Sequence, residues 1–153
     1  MPGFTTAMPT SFKVELLRAV HNFTAVTGNT FKIALGKSTA SVSGTYNAST
    51  TSYTNLTSNS DELPTADGYT TGGNTLVSIT PVSDGSTAVC DFDNTTWSGA
   101  TFTSSGAIIY NDSATGDPAC AVLNFGGDQQ VVAGDFQIQF PAAASSTAII
   151  RIA

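Results

Sequence analysis

The chain has 153 residues, of which 10% are charged and 41% are hydrophobic, and its formal net charge at pH 7 is -6. We expect a single domain, because separate cores form only beyond roughly 250 residues. The acidic balance excludes a sequence-independent grip on nucleic acid, which needs Lys and Arg against phosphates. No apolar run approaches the roughly 20 residues of a membrane span, so neither nucleic acid nor membrane is an expected partner.

The charges are distributed unevenly along the chain. Four of the five Lys and Arg residues lie in the first 37 positions, where the only acidic residue is Glu15. From residue 38 onward there are ten acidic residues and one basic residue, Arg151. This distribution is typical of a solvated acidic surface, and it also fits a basic end that docks on an acidic neighbour.

The first 23 residues predict an arm followed by a helix. Residues 1–9 are small and polar and predict an extended N-terminal arm. Ser11 is a favourable N-cap, and the run after it predicts an α-helix over about residues 11–23, with Leu17 beside its apolar face. That face collects the apolar residues of the run: Phe12, Leu16, Val20 and Phe23. The helix covers its own sheet or binds a partner through the basic edge of Lys13 and Arg18.

The C-terminal block, residues 104–153, predicts consecutive antiparallel strands separated by turns. Phe136, Ile138 and Phe140 alternate with two glutamines, as in a strand with one buried face. Three further apolar runs predict strands, at residues 107–110, 119–125 and 148–152. The segments between these runs are rich in residues that adopt tight or left-handed backbone conformations. They predict turns at 111–118, 126–128 and 134–135.

The middle of the chain predicts shorter elements. Residues 31–35 alternate as a strand, and residues 75–80 and 87–93 predict a hairpin. The polar tract 38–60 predicts a long loop, with or without a short edge strand. The acidic residues that follow it predict a single helical turn, which the proline at the end of 61–64 would stop.

These elements together predict a mainly β fold. We expect an antiparallel β-sandwich of about seven to nine short strands with one N-terminal α-helix, in which residues 10–153 form one domain behind the arm. Cys90 and Cys120 are the only cysteines, and each lies in a predicted strand among apolar neighbours. This placement favours buried free thiols, with a disulfide between neighbouring strands as the alternative.

The sequence contains no pattern that specifies a catalytic or metal site. His21 is the only histidine and has no partner at metal-pair spacing, so we place it against the last carbonyls of the helix. The run from Asp91 begins like a calcium loop, but Thr96 and Phe102 stand where a glycine and the final acid are needed. We expect no enzyme and no cofactor. A cation held between loops by four aspartates is the alternative: Asp91, Asp93, Asp112 and Asp117.

Two groups of turn and core residues resemble the small structural proteins of tailed bacteriophages. The first group is the run 67–74 (Asp-Gly-Tyr-Thr-x-Gly-Gly-Asn) before a strand, and Trp97 ahead of the strand and turn at 107–112. The second group lies in the C-terminal third: Pro118 before a strand, Asn124-Phe125-Gly126, and Val131-x-x-Gly134-Asp135-Phe136. Proteins of this kind also begin with a short helix and a strand similar to residues 31–35.

The resemblance implies a virion component assembled in the cytoplasm of a bacterial host. The expected protein is a capsid decoration or cement protein, a homotrimer that binds the capsid protein lattice and stabilises the expanded head. Segment 148–152 would extend a sheet between subunits. The candidate partner contacts are Phe4, Lys13, Arg18, Ile149 and Arg151.

Two alternatives to a decoration protein follow from the same sequence. The first is a tail, baseplate or fibre component of the same class of particle. The second is a carbohydrate-binding or receptor-binding module, which would need exposed aromatic side chains as stacking platforms. The candidates for that role are Tyr46, Tyr53, Tyr69 and Trp97.

Overall fold

The protein is described over residues 1–153 by a computed structural model that contains nine strands and two short helices. In chain order they are β1 (Gly3–Phe4), α1 (Thr10–Leu17), β2 (Phe31–Leu35), β3 (Thr45–Tyr46), α2 (Thr54–Ser58), β4 (Asn74–Leu76), β5 (Ser78–Asp84), β6 (Thr87–Phe92), β7 (Thr95–Asn111), β8 (Ala119–Ile138) and β9 (Ile150–Ile152). The mainly β fold class with an N-terminal helix is confirmed.

The strands form two antiparallel sheets and one small parallel pair. The larger sheet has the order β4-β2-β7-β8, and the smaller one has the order β5-β6-β9. Strands β1 and β3 pair in parallel. Two antiparallel sheets are compatible with the sandwich that the sequence predicts.

The four-stranded sheet is buried on both faces at β2 and along the second half of β7. Neighbouring residues of a strand point to opposite faces, so they belong to two different clusters. Ile33 and Ile109 belong to a cluster that includes α1 and the three-stranded sheet. Ala34 and Ile108 belong to a second cluster, together with residues of the arm and of the tract 38–60. The tract therefore lies over one face of the sheet.

Strands β7 and β8 form one long hairpin, which corrects two of the predicted turns. The turn at 111–118 is present, but residues 126–128 and 134–135 lie inside β8. Gln129 pairs with Ser104 and Asn124 pairs with Gly106, so four residues of β8 bulge opposite one residue of β7. Glycines with positive φ occur in β-bulges as well as in turns. The sequence therefore predicted turns where β8 only bulges.

The alternation predicted at the end of β8 is confirmed. Phe136, Ile138 and Phe140 are half-buried and pack against the larger core cluster, whereas Gln137 and Gln139 are exposed. The regular strand ends at Ile138, two residues before the predicted run does. One face of this segment therefore meets the core and the other meets solvent.

Helix α1 is shorter than predicted, because it ends at Leu17 instead of residue 23. Ala19 adopts a left-handed conformation with φ of 56°, which turns the chain out of the helix. Phe23 still reaches the core, but it does so after this turn and not on a helical face. Leu17, predicted beside the buried face, is 91% exposed.

The tract 38–60 and the residues after it contain more structure than predicted. The short strand considered there is present as β3, and α2 adds a second helix to the single one expected. The helical turn predicted at 61–64 is wrong. Glu62 forms an antiparallel bridge with Gly36, and the Leu63 amide donates to the Leu35 carbonyl at 3.0 Å. The segment is extended because the end of β2 offers it open backbone groups.

The hairpin predicted around residue 85 is present as β5 and β6, with Gly85 at a φ of 62°. Strand β4, predicted as part of it, pairs with β2 in the other sheet. The chain thus changes sheets at Val77. Cys90 and Cys120 are buried and free, which confirms the prediction of buried thiols and excludes the disulfide from this structure.

Candidate interaction surface

Helix α1 presents four exposed side chains on one side. Val14 is 47% exposed and Leu17 is 91% exposed, and Lys13 and the C-cap residue Arg18 are exposed beside them. Offsets of one, four and five residues place these side chains on a single side of a 3.6-residue helix. We call this surface, made of Lys13, Val14, Leu17 and Arg18, the α1 face. It combines two positive charges with two aliphatic side chains.

The α1 face contains the two cations that the rest of the chain leaves free. The three other basic side chains have partners: Lys32 pairs with Asp112 at 3.2 Å, Lys37 donates to the Ser60 carbonyl, and Arg151 donates to the carbonyls of Ser145 and Ser146. No hydrogen bond or ion pair engages the side chains of Lys13 and Arg18. Their charges are therefore available to a partner.

The opposite side of α1 is anchored in the core. Phe12 is fully buried, and its ring centroid lies 4.8 Å from that of His21 and 6.2 Å from that of Phe23. The Thr10 amide donates to the Ala48 carbonyl at 2.9 Å, which ties the first turn to the tract 38–60. These contacts fix the direction in which the α1 face points.

Behind α1, a buried imidazole, thiol and amide meet a partly exposed carboxylate in one cluster. The Nε2 atom of His21 lies 2.9 Å from Glu15, and its Nδ1 atom lies 3.0 Å from the Asn111 amide nitrogen and 3.8 Å from the Cys120 sulfur. The amide of Asn111 donates, so Nδ1 accepts and Nε2 donates to Glu15. His21 thus contacts side chains, which corrects its predicted place against helix carbonyls.

The thiol of this cluster is poorly suited to nucleophilic chemistry. Burial raises the pKa of Cys120 well above its usual value, and the residue is 1% exposed. The Cys90 thiol is similar, since burial raises its pKa to about 12. The cluster fixes the turn after α1 to β7 and β8. Sequence spacing gave no signal for it, because Asn111 and Cys120 lie 90 and 99 residues from His21.

Phe4 is a core residue and not an exposed contact. It is 7% exposed, and its ring stacks on that of Tyr46 with centroids 4.8 Å apart. A Cβ atom on Gly36 or on Gly106 would overlap the Phe4 ring, so both positions require glycine for this packing. The arm is extended as predicted, but backbone hydrogen bonds hold it down: the Thr5 amide donates to the Tyr46 carbonyl at 2.8 Å.

The two C-terminal candidates lie at the open side of the smaller sheet. Strand β9 pairs with β6 on one side only, and its Ile152 is 59% exposed. Arg151 is exposed on this strand. Ile149 is half-buried and lines an apolar cavity of about 290 Å³ together with Met8 and Leu123. Of the five predicted contacts, only Lys13 and Arg18 are brought together on one element.

The aromatic residues considered as sugar platforms face inward. Tyr46, Tyr69 and Trp97 are 1%, 2% and 3% exposed. Tyr53 is half-buried and stacks on Tyr110 with ring centroids 4.4 Å apart. None of these rings has the exposed face that stacking on a sugar would need, so the structure does not support the carbohydrate-binding alternative.

Three of these tyrosines instead donate hydrogen bonds to two adjacent carboxylates. Asp61 accepts from the Tyr46 hydroxyl at 2.6 Å and from the Gly44 amide at 2.7 Å. Burial alone would raise the pKa of Asp61, but these donors and those of Ser43 outweigh it, and the pKa lies below its usual value. Glu62 also accepts three hydrogen bonds. The donors are the Tyr53 hydroxyl at 2.5 Å, the Tyr69 hydroxyl at 2.8 Å and the Gly72 amide at 2.6 Å.

These two carboxylates explain why the tract 38–60 is ordered. Four of the donors belong to this tract: Ser43, Gly44, Tyr46 and Tyr53. Tyr69 and Gly72 belong to the later loop, and both carboxylates are buried. Buried carboxylates that accept several hydrogen bonds are stabilising, whereas one with missing partners would be costly. The network is thus a structural clamp. Glu62 also lines a cavity of about 260 Å³, but it is the only acidic residue there, so the cavity does not place a substrate between two acids.

No group of three or more His, Cys, Asp or Glu side chains is arranged to hold a metal ion, so the four aspartates considered for a cation do not converge. Neither helix combines the length and apolar character that crossing a bilayer requires. Comparison with protein-family models, with curated proteins and with solved structures finds no match for this chain.

Proposed function

We propose that this protein is a structural component of a bacteriophage virion, a capsid decoration or cement protein that binds the capsid lattice of the expanded head as a homotrimer. The observation that carries the proposal is the α1 face, where two unpaired cations and two exposed aliphatic side chains stand together on a rigidly anchored helix. Such a mixture of charge and apolar surface is typical of protein interfaces.

The rest of the molecule supports an adhesive role. Its four-stranded sheet is covered on both faces at β2 and along the second half of β7, and Asp61 and Glu62 hold down the long polar tract. A body fixed in this way loses little conformational entropy when it binds. Only 10% of the residues are charged, so few ionic groups must be desolvated in a contact.

The mechanism is multivalent binding. One copy makes a modest contact, and the joining of several copies into one oligomer raises the overall affinity by orders of magnitude without new chemistry. A protein that binds the expanded lattice and not its precursor stabilises the expanded state by mass action. Because binding stabilises the expanded shell, it also reinforces the shell against the pressure of packaged DNA.

A cryo-EM map of the particle that contains this protein tests the proposal against its closest alternative. We expect copies spread over the shell at repeated lattice positions, with the α1 face and the β9 edge turned towards protein neighbours. Copies confined to the tail, baseplate or fibres would overturn the decoration function and would establish the alternative place in the virion.

A further inference from the structure

The second half of β8 is a sheet edge that no other segment of the chain covers. Strand β8 is the last strand of the four-stranded sheet, so it pairs with β7 on one side and with no strand on the other. Near its start the arm covers the open side: the Ala7 amide donates to the Val122 carbonyl at 3.0 Å, and the Val122 amide donates to the Ala7 carbonyl at 2.9 Å. No backbone hydrogen bond joins residues 129–138 to any segment other than β7. We call these ten residues the β8 edge.

The other three open edges of the two sheets are short or interrupted. Strands β4 and β9 have three residues each. Strand β5 has seven, but Pro81 has no amide hydrogen to donate, and a register shift separates Ile79 from Val82. The β8 edge contains no Lys, Arg or Pro, and Asp135 is its only charged residue. It therefore lacks the residues that usually prevent an edge from pairing with a further strand.

The side chains of the β8 edge lie on two different faces. Val131, Phe136 and Ile138 are half-buried at the margin of the larger core cluster, so part of their apolar surface is open to solvent. Val132 and Asp135 are exposed, as expected for residues on the opposite face of the strand. A strand added at this edge would cover the half-buried side chains as well as the open backbone groups.

The direction of one peptide group confirms that the backbone is open at this edge. The Ala133 amide donates to the Thr101 hydroxyl of β7 at 2.9 Å. The Val132 carbonyl belongs to the same trans peptide group and points the opposite way, to the open side of the strand. An acceptor is thus available to a second strand in the middle of the β8 edge.

We propose that the β8 edges of two copies of this chain pair antiparallel about a two-fold axis normal to the sheet. Such an axis places the same face of both strands on the same side, so half-buried residues must lie opposite half-buried ones. One register satisfies this condition along residues 130–137. Val131 then lies opposite Phe136 of the second copy, and Val132 lies opposite its Asp135. The axis passes beside the bulge of β8, so the regular segments on either side of the bulge are those that pair.

A second copy fits this edge because the edge is complementary to itself. The apolar pair of Val131 and Phe136 occurs twice, once on each side of the axis, and each pair covers surface that one copy leaves exposed. The only charges, one Asp135 from each copy, lie opposite valines and not opposite each other. A two-fold pair also closes both open edges in one contact, so it leaves no edge for a third chain.

This contact goes beyond the proposed function, which requires a three-fold ring and a surface for the capsid. A two-fold contact joins either two single chains or two rings. The assembly in solution should therefore contain an even number of copies, whether or not capsids are present.

Disulfide cross-linking between two single variants tests the register. Val132→Cys and Asp135→Cys change exposed positions, and the native thiols are buried. Opposed residues of a ladder have Cα atoms about 5.5 Å apart, which is within disulfide reach. Two copies of the same variant would place their new thiols about three residues apart along the strand, roughly 10 Å, which is too far. Under mild oxidation, the mixture of the two variants should form a covalent dimer about tenfold faster than either variant alone, because only the mixture has thiols within disulfide reach.

Sedimentation velocity of two variants at one position tests the contact without cross-linking. Val132→Asp places a second carboxylate opposite Asp135 at both ends of the pair and should weaken association by about tenfold. Val132→Lys is the matched control, because it places opposite charges there and should associate at least as well as the wild type. Val132 is 68% exposed, so circular dichroism should show the same fold for both variants.

Three results would overturn the inference. They are a wild type with one or three copies per assembly at every concentration, a mixture that cross-links no faster than the single variants, and a Val132→Asp variant with wild-type association. A wild type that pairs through the β8 edge but fails to bind capsids would overturn the proposed function alone.

Discussion

Replacement of Asp61 by alanine should lower the free energy of unfolding by about 3 kcal/mol or more. The substitution leaves the Tyr46 hydroxyl and the amides of Ser43 and Gly44 without their acceptor, and a buried donor without a partner costs about 1–3 kcal/mol. Urea denaturation followed by circular dichroism measures this loss. Asp93→Ala is the matched control, because Asp93 is exposed and should change stability by about 0.5 kcal/mol at most.

The same carboxylate predicts a dependence of stability on pH. Its pKa is lower in the folded protein than the ordinary value of 3.8, so its contribution is fully present above pH 3.8 and is lost as pH falls through the folded pKa. The difference in stability between wild type and Asp61→Ala should shrink over that acidic range. An equal difference at neutral and strongly acidic pH would contradict the assigned role of the ionised carboxylate.

Replacement of Phe12 by alanine should destabilise the protein by about 3–5 kcal/mol, because the ring is fully buried among core aromatics. Loss of this anchor also frees α1 from its fixed orientation, so association with capsids through the α1 face should weaken. Urea denaturation measures the first effect and co-sedimentation with capsids the second. Phe12→Leu keeps an apolar anchor and provides a milder variant if the alanine protein fails to fold.

Leu17→Ala is the matched control on the same helix. Leu17 is 91% exposed, so its truncation should change stability by about 0.5 kcal/mol at most but should still weaken association. Both substitutions should therefore weaken association, but only Phe12→Ala should also lower the stability of the fold. If Leu17→Ala unfolded the protein, or if Phe12→Ala left stability unchanged, the described orientation of α1 would be wrong.

Local patterns in the sequence were sufficient to predict the fold class and several strands. Alternation identified the half-buried end of β8, and turn residues identified the β5-β6 hairpin and the connection at 111–118. The same turn residues gave a wrong prediction at 126–128 and 134–135, where glycines form bulges inside β8. A glycine pair indicates unusual backbone, but only the partner strand decides whether the chain reverses or continues.

Long-range contacts account for the features that the sequence did not predict. Apolar spacing placed Leu17 next to the core, but the left-handed turn at Ala19 ends the helix and leaves Leu17 exposed. The α1 face depends on that early end. Phe4 is apolar in a polar arm, and its burial depends on two glycines that lie 32 and more residues away. Such packing is decided by tertiary structure and not by local spacing.

Co-sedimentation with capsids tests most directly the claim that this protein works by adhesion. Purified protein is mixed with expanded capsids that lack decoration, and the capsids are pelleted. We expect the protein in the pellet, with saturation at a fixed number of copies per shell. Protein that stays in the supernatant at every concentration, while the capsids pellet, would contradict the account.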